Sequence, residues 1–197
     1  TYLLNMILPI VAYGSPVLRK VGENITKDYE GLDQLIADMW ETMYASNGVG
    51  LAAPQVNKDI RLFVVDTLQM FNGMNEEEQK EYPDAPGLKA VFINAHIVEL
   101  EGDEWPYNEG CLSIPKIRED IYRQESVILN YVDEHFQQQT KTFTGLTARV
   151  ILHEYDHIEG KLFIDHISAL KRKLLKGKLN DITKGKINVD YKMMFPG

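Results

Sequence analysis

Apolar residues recur every three or four positions in several stretches of the chain, and each such stretch predicts a helix. Residues 32–44 place their apolar side chains on one face, and Asn47 with the following glycine supplies a stop signal. Residues 146–159 have the same spacing and end just before another glycine. A third helix, basic in composition, is predicted near the C-terminus over residues 168–182.

Between the first two predicted helices, short apolar and β-branched runs alternate with turn residues, and this pattern predicts strands. Residues 67–88 interrupt it with an acidic run and two prolines, so we predict a solvated surface insertion there. Central strands and separated helices indicate one α+β domain over residues 1–197. The predicted strands are residues 60–66, 90–101, 126–133 and 140–144, with a further strand-like run at 162–164.

Composition limits the partners that this chain is expected to have. The 197 residues carry a net charge of −8, which argues against DNA or other nucleic acid as the main ligand. The single cysteine excludes an internal disulfide and fits a reducing compartment. No apolar run approaches the length of a membrane span. We therefore expect a cytoplasmic protein that works without a membrane.

The predicted helix 146–159 contains the pattern His-Glu-x-x-His at residues 153–157. Residues four apart share one face of a helix, so His153 and His157 can bind one metal ion together. Glu154 is placed to exchange a proton with a water molecule that the metal activates. Because the residues just before His153 are apolar, the helix enters the interior, where unpaired imidazoles would be costly. The pattern predicts a metal-dependent hydrolase.

A hydrolytic metal site usually has three protein ligands, and the residues alone leave the third open. The position six residues after His157, where a longer peptidase pattern has another histidine, is not a histidine, and no glutamate follows Glu159. Asp165 and His166 remain as downstream candidates, and either would favour a zinc endopeptidase. The upstream candidate is Cys111, the only thiol of the chain.

Three segments, taken in order, resemble the motifs of the peptide deformylase family. They are Gly-Val-Gly-Leu-Ala-Ala-Pro-Gln at residues 48–55, Glu-Gly-Cys-Leu-Ser at 109–113 and His-Glu-Tyr-Asp-His at 153–157. The resemblance implies hydrolysis of the N-formyl group from the formylmethionine of new polypeptides, with release of formate. It also implies antiparallel or mixed sheets around a central metal-binding helix, followed by a C-terminal helix.

The resemblance gives each motif a chemical role. It implies that Glu154 acts as general base and then as general acid. It implies that the Gln55 side-chain amide and the Leu112 backbone N–H stabilise the negative oxygen that forms on the formyl group. The three implied metal ligands are Cys111, His153 and His157.

The resemblance further implies a substrate cleft with an apolar pocket for methionine. Backbone near Gly50 is expected to pair with an extended peptide. Arg149 departs from the family, which usually has an apolar residue at this position. Asp156 is expected either to hydrogen-bond behind the ligands or to face solvent. The implied substrate-binding residues are Val49, Gly50, Glu109, Arg118, Leu146, Arg149 and Val150.

One divalent ion is implied as the cofactor. Two imidazoles and a thiolate suit Zn²⁺, Fe²⁺, Co²⁺ and Ni²⁺ alike, and by resemblance the ion in cells is Fe²⁺, which the others can replace. The implied partners are formylated nascent peptides, together with the ribosome if the basic C-terminal helix does more than face solvent. A non-catalytic, metal-dependent binder of peptide N-termini is the alternative from a different functional class.

Overall fold

The computed structural model describes residues 4–82 and 84–197. Three short 3-10 helices, at Pro16–Arg19, Ala53–Val56 and Phe163–His166, connect its longer elements. The α-helices are Leu32–Ala45 (α1), Leu68–Asn72 (α2), Glu76–Lys80 (α3), Gly145–Ile158 (α4) and Ala169–Thr183 (α5). The strands are Ile10–Val11 (β1), Gly50–Ala52 (β2), Leu62–Asp66 (β3), Lys89–Cys111 (β4), Ile114–Val132 (β5), Gln138–Thr144 (β6) and Met193–Met194 (β7).

The main sheet contains β2 to β6 in chain order, and every neighbouring pair in it is antiparallel. The two short terminal strands, β1 and β7, pair with each other in parallel. Because the main sheet is antiparallel and its longest strands, β4, β5 and β6, follow one another directly in sequence, the α+β prediction is confirmed. Among the described residues, no helix combines the length and apolar character that crossing a membrane requires.

The core has one layer on each face of the sheet, and β3 shows why. Its alternate residues Leu62 and Val64 belong to a cluster with residues of α1, whereas Phe63 and Val65 belong to a cluster with residues of α4. All five residues of β3 are therefore buried, since successive side chains of a strand point to opposite faces. Helix α4 packs against β2, β3, β5 and β6 in the interior.

The start of α4 is held by Asp84, a residue of the loop between α3 and β4. The Thr147 backbone N–H donates to the Asp84 carboxylate at 2.6 Å, which satisfies one of the free donors of the first turn. Gly145 has a positive φ of 56°, and a Cβ there would lie 2.6 Å from the same carboxylate. The close approach of Asp84 therefore requires glycine at this position.

Strands β4 and β5 form a hairpin much longer than the sequence predicts. The predicted strands 90–101 and 126–133 cover its base, but pairing continues from Glu104 with Gln124 to Cys111 with Ile114. Residues 98–104 are all exposed, so this part lacks the alternation of apolar and polar residues that marks a half-buried strand. The extension matters because it carries Cys111 to the site.

Two other predicted segments differ from the structure. Residues 162–164 are not a strand: Leu162 is the N-cap of the 3-10 helix Phe163–His166, and the other two residues belong to that helix. Residues 67–88 contain α2 and α3, and α3 has no buried residue, as a surface segment should. Phe71 of α2 is nevertheless fully buried, and the Leu88 N–H donates to the Thr67 hydroxyl at 3.0 Å. The segment is thus anchored to the core at its beginning and end.

Candidate active site

Helix α4 places two imidazole side chains close together on one of its faces. His153 and His157 lie one turn apart on the same face, and their ring centroids are 5.2 Å apart. Most of the helix is buried, and His157 itself is 1% exposed. The local sequence folds in this way because apolar residues surround the helix on nearly all sides.

The long hairpin places Cys111 against these imidazoles. Cys111 pairs with Ile114 at the end of β4, so Leu112 and Ser113 form the tip of a tight turn. The Cys111 Sγ lies 3.3 Å from His157 Nε2. The donor atoms of Cys111, His153 and His157 all lie within 4.8 Å of one another. One thiolate and two imidazoles at this spacing fit a divalent transition-metal ion with an open position.

The thiol is prepared for metal binding by its neighbours. Burial alone would raise the pKa of Cys111, but the charges and hydrogen bonds of His157 and His153 outweigh burial and lower that pKa to about 5. The thiolate is the form that binds metals. The upstream thiol is therefore placed where the third ligand is needed.

Glu109 orients the first imidazole from behind. Its Oε2 lies 3.0 Å from His153 Nδ1, so Nδ1–H donates to the carboxylate and Nε2 is left for a metal. Burial would raise the pKa of Glu109, but His153 and Arg123 hold it well below its usual range. Arg149 donates to the same carboxylate at 3.1 Å. These contacts tie Glu109 to His153, although the resemblance implied a substrate contact for it.

Arg123 extends this buried network and was not predicted from the sequence. Its guanidinium donates to Glu109 at 2.7 Å and to Asp156 at 2.8 Å, and it is 5% exposed. Asp156 in turn lies 2.7 Å from His166 Nε2, which fulfils the expectation of a hydrogen bond behind the ligands. Arg123 lies among other charged residues of β5, so nothing in the local pattern distinguishes it from a solvated residue.

Glu154 is buried beside the ligands, and no residue that the structure describes forms an ion pair with it. It is 4% exposed, and among the described residues none donates a hydrogen bond to its Oε2. Burial raises the pKa of Glu154 to about 7, a value suited to giving and taking protons at neutral pH. A Cβ on Gly50 would lie 2.6 Å from Glu154 Oε1. Glycine at position 50 therefore makes room for this carboxylate.

Gln55 has its donor end turned to the site. Its Oε1 accepts from the Ala52 N–H at 3.0 Å, which fixes the orientation of the amide. Its Nε2 lies 3.5 Å from Cys111 Sγ and 3.3 Å from the Ser113 hydroxyl. Gln55 is 2% exposed, so this amide is not the ordinary surface residue that its sequence context alone would favour.

A cleft of about 680 Å³ opens over these residues. Leu146, in contrast with the other implied substrate residues, is absent from the described lining, and with 1% exposure it belongs to the interior. Arg149 reaches the cleft, but its guanidinium also donates to the Ile121 carbonyl at 2.9 Å and lies over the Trp105 ring at 4.5 Å. The implied residues that line the cleft are Val49, Gly50, Gln55, Glu109, Cys111, Leu112, Arg118, Arg149, Val150, His153 and Glu154.

Comparison with known sequences gives the same picture over almost the whole chain. The sequence model of the family described as "Polypeptide deformylase" matches residues 7–173. The peptide deformylase of Flavobacterium johnsoniae is 56% identical over 190 residues, which are 96% of this chain and 96% of that protein. The peptide deformylase of Christiangramia forsetii is 53% identical over 193 residues, 97% of each chain. This chain belongs to the peptide deformylase family.

Solved structures of the family share the fold. A peptide deformylase from Legionella pneumophila superposes with a TM-score of 0.76 at 34% identity, covering 92% of this chain and 98% of its own. The enzyme from Thermotoga maritima gives a TM-score of 0.70 at 36% identity, with 83% and 99% coverage. Peptide deformylases are metal-dependent hydrolases that remove the N-formyl group from nascent polypeptides.

Within this peptide deformylase fold, the downstream candidates for the third ligand have other partners. Asp165 forms an ion pair with Arg19 at 2.5 Å and accepts the Leu162 N–H at 2.9 Å. His166 is engaged with Asp156. In the part of the chain that the structure describes, Cys111, His153 and His157 form the only group of three or more acidic, histidine or cysteine side chains close enough to hold one ion.

Proposed function

We propose that this chain hydrolyses the N-formyl group of formylmethionine at the start of new polypeptides, giving formate and a free amine. The observation that carries the proposal is the convergence of Cys111, His153 and His157 beside Glu154 and Gln55. A peptidase with the same helix pattern would not need the thiol or the amide. The family membership of the chain supports the same chemistry.

The three ligand side chains would hold the metal, and the other residues would carry the reaction. When bound there, a divalent ion supplies a Lewis acid that lowers the pKa of water towards neutrality. Glu154 then accepts the proton of the attacking water and delivers it to the leaving amine. Its buried carboxylate is suited to both steps because its pKa is raised to about 7.

Attack on the formyl carbon places negative charge on the formyl oxygen. The Gln55 Nε2 and the Leu112 backbone N–H are the proposed donors to that oxygen, since both residues lie at the Cys111 side of the cleft. Each such donor is typically worth about 3 kcal/mol of the barrier. Neutral donors held in place beforehand cost no reorganisation when the charge appears.

Strand β2 is the proposed docking edge for the peptide. Among the described residues it pairs with β3 on one side only, so its other side can add an extended strand. Val49 and Val150 line the cleft nearby and are the proposed wall for the methionine side chain. Arg118, exposed at the cleft, is proposed to contact the peptide beyond methionine.

The direct test is release of formate from formyl-Met-Ala-Ser by anaerobically purified protein of known metal content. We expect stoichiometric formate and free Met-Ala-Ser, and no cleavage of the internal peptide bonds. The matched control is acetyl-Met-Ala-Ser, whose extra methyl group should make it a poor substrate in a site fitted to formyl. Absence of formate with metal present would contradict the proposed function and favour a non-catalytic peptide binder.

Replacing Cys111 by serine separates this function from that of a zinc endopeptidase. Loss of the thiolate should greatly weaken metal binding and formate release together, because a hydroxyl is a far weaker ligand. The endopeptidase hypothesis expects little change, since its third ligand would be Asp165 or His166. Asp165→Asn is the matched control and should leave metal content unchanged.

We propose Fe²⁺ as the metal in cells, with Zn²⁺, Ni²⁺ or Co²⁺ able to replace it. The ligand set suits all four ions, so the family's usual metal is the support for iron. An iron–thiolate site is expected to be oxygen-sensitive, since thiolates and ferrous iron both oxidise. Activity should decay in air for protein loaded with Fe²⁺ and persist for protein loaded with Ni²⁺, and equal air stability would contradict the proposal.

We also propose action in the cytoplasm, on chains still at the ribosome, through the basic helix α5. Lys173, Lys176 and Lys178 are exposed there, whereas Lys171 is paired with Glu119 at 3.0 Å. Neutralising Lys171, Arg172 and Lys173 should lower ribosome affinity and reduce its salt dependence. Formate release from the free tripeptide is the control and should not change. Unaltered ribosome affinity would leave α5 as a solvated surface.

A further inference from the structure

The segment after α5 returns to the active site. Residues 188–191 line the cleft, on the same side as Leu112. Burial alternates along this segment: Ile187, Val189, Tyr191 and Met193 are partly buried, and the residues between them are exposed. This alternation is typical of an extended chain packed on one face. The family model ends at residue 173, so this part of the cleft lies outside it.

The returning segment is anchored just after Tyr191 by the N-terminal strand β1. The Ile10 N–H donates to the Lys192 carbonyl at 2.9 Å, and the Ala12 N–H donates to the Met194 carbonyl at 2.8 Å. The Tyr191 ring packs on the core cluster that also borders Leu112. Its position therefore does not depend on the tyrosine hydroxyl alone.

The Tyr191 hydroxyl contacts the turn that carries one of the two proposed oxyanion donors, the Leu112 N–H. It donates to the Leu112 carbonyl oxygen at 2.7 Å, across 79 positions of sequence. The next carbonyl, that of Ser113, accepts the Tyr13 N–H at 2.9 Å. The two-residue tip after Cys111 is therefore held from outside by hydrogen bonds to both of its carbonyl groups.

We propose that Tyr191 is a positioning residue for the oxyanion site. The hydroxyl holds the peptide plane that follows Leu112, which restricts rotation about the backbone bonds of Leu112 and thereby restrains the direction of the Leu112 N–H in the preceding peptide plane. This inference rests on the proposed function, in which that N–H stabilises the formyl oxygen. Such stabilisation depends steeply on donor geometry, since useful donors lie within a few tenths of an ångström of their best distance.

The test is Tyr191→Phe in the full chain, which removes the hydroxyl and keeps the ring. We expect kcat for formate release to fall about tenfold with KM within twofold, because a loosened donor loses part of the hundredfold or greater effect of a missing one. Metal content should not change. Tyr29→Phe is the matched control, since Tyr29 is also partly buried on the same core cluster, and it should keep full activity.

A second readout is independent of turnover. In ¹H–¹⁵N spectra of protein loaded with diamagnetic Zn²⁺, the Leu112 and Ser113 amide signals should shift or broaden in Tyr191→Phe and stay in place in Tyr29→Phe. A kcat within twofold of the unsubstituted protein would overturn the inference while leaving the proposed function intact. So would a parallel loss of metal, or unfolding of Tyr191→Phe alone, since both indicate a structural role. If the unsubstituted protein releases no formate, the proposed function fails. In that case an unchanged Leu112 amide signal in Tyr191→Phe would also rule out the contact between the Tyr191 hydroxyl and Leu112.

Discussion

The two sides of the site are held in place by different kinds of interaction. On the α4 side, His153 is fixed by a buried network of charges: Glu109 pairs with His153, and Arg123 pairs with both Glu109 and Asp156. On the hairpin side, Gln55 and Leu112 are fixed by neutral hydrogen bonds from and to backbone and hydroxyl groups. Both sides supply metal ligands, since Cys111 lies on the hairpin, but the two proposed oxyanion donors, Gln55 and Leu112, meet the negative formyl oxygen only during the reaction.

This difference suits the demands on each side. A metal ligand must keep one tautomer and one direction at all times, and a buried charge network enforces this because breaking any pair leaves an uncompensated charge. An oxyanion donor must instead be present without strongly binding the uncharged substrate. Neutral donors meet that requirement, since they gain most when the oxygen becomes negative. Substitutions on the two sides should therefore fail in different ways.

The largest effect is expected for Glu154, which lies between the two sides. Glu154→Gln keeps the shape of the side chain but cannot carry a proton, so kcat should fall by about 10²- to 10⁴-fold. Metal content should stay at the level of the unsubstituted protein, because Glu154 is not a ligand. The measurement is kcat for formate release with metal quantified in the same sample. Retained activity would show that a different group moves the proton.

Removing a neutral donor should impair turnover and leave the metal in place. Gln55→Leu is expected to lower kcat about 10²- to 10³-fold with little change in KM, since the Gln55 amide acts mainly on the charged oxygen. Gln138→Leu is the matched control, because Gln138 is an exposed amide on β6 far from the cleft. A rise in KM with kcat unchanged would instead mean that Gln55 binds the substrate in its ground state.

Removing a charge on the α4 side should affect the metal first. Glu109→Gln takes the negative charge away from His153, Arg123 and Arg149, so metal affinity or activity should fall about 10- to 100-fold. The protein should also lose about 3 kcal/mol of unfolding free energy, since the buried guanidinium of Arg149 loses its counter-ion and that of Arg123 keeps only Asp156. Competition with a chelator and urea unfolding measure the two effects.

The control for this substitution is Glu119→Gln, whose carboxylate pairs with the exposed Lys171. It should change metal affinity and unfolding free energy only slightly, because exposed ion pairs contribute little to stability. If Glu109→Gln bound metal as tightly as the unsubstituted protein, the charge network would not be what orients His153.

The parts of this site that could be predicted from the residues alone are those marked by a pattern in the local sequence. Helix α4 and its two histidines follow from apolar spacing and from a motif five residues long. Gln55 and Leu112 came from resemblance to a family, because nothing in their own surroundings assigns them a role. Cys111 was one of three candidates for the third ligand, and the resemblance selected it. The strand extension that brings Cys111 to α4 was not predicted, since its exposed residues lack alternation.

The residues that were missed have partners far away in sequence. Arg123 contacts Asp156 33 positions later, and Tyr191 contacts Leu112 79 positions earlier. A charged residue on a charged strand and a tyrosine in a polar tail have ordinary local patterns. Only the register of the β4–β5 hairpin and the return of the C-terminal segment reveal their contacts. Such residues become visible when tertiary structure is known.

The smallest effect on stability is expected for the partly exposed ion pair between Asp165 and Arg19. Burial would raise the pKa of Asp165, but Arg19 and the Leu162 N–H outweigh it and lower that pKa. A carboxyl whose pKa is lower in the folded state stabilises the protein above its unfolded pKa of about 3.9, and this stabilisation is lost as pH falls through the folded value.

Asp165→Asn should therefore cost at most about 1 kcal/mol at pH 7, and the difference from the unsubstituted protein should shrink below about pH 4. Urea unfolding at both pH values measures it. Asp59→Asn is the control, since the Asp59–Lys20 pair is more exposed and should contribute less. A larger loss for Asp165→Asn that persists at low pH would point to the lost Leu162 contact, because that hydrogen bond does not depend on the charge of Arg19. Loss of bound metal in Asp165→Asn would contradict the proposed ligand set. It would indicate that Asp165 binds the metal, although the structure pairs it with Arg19.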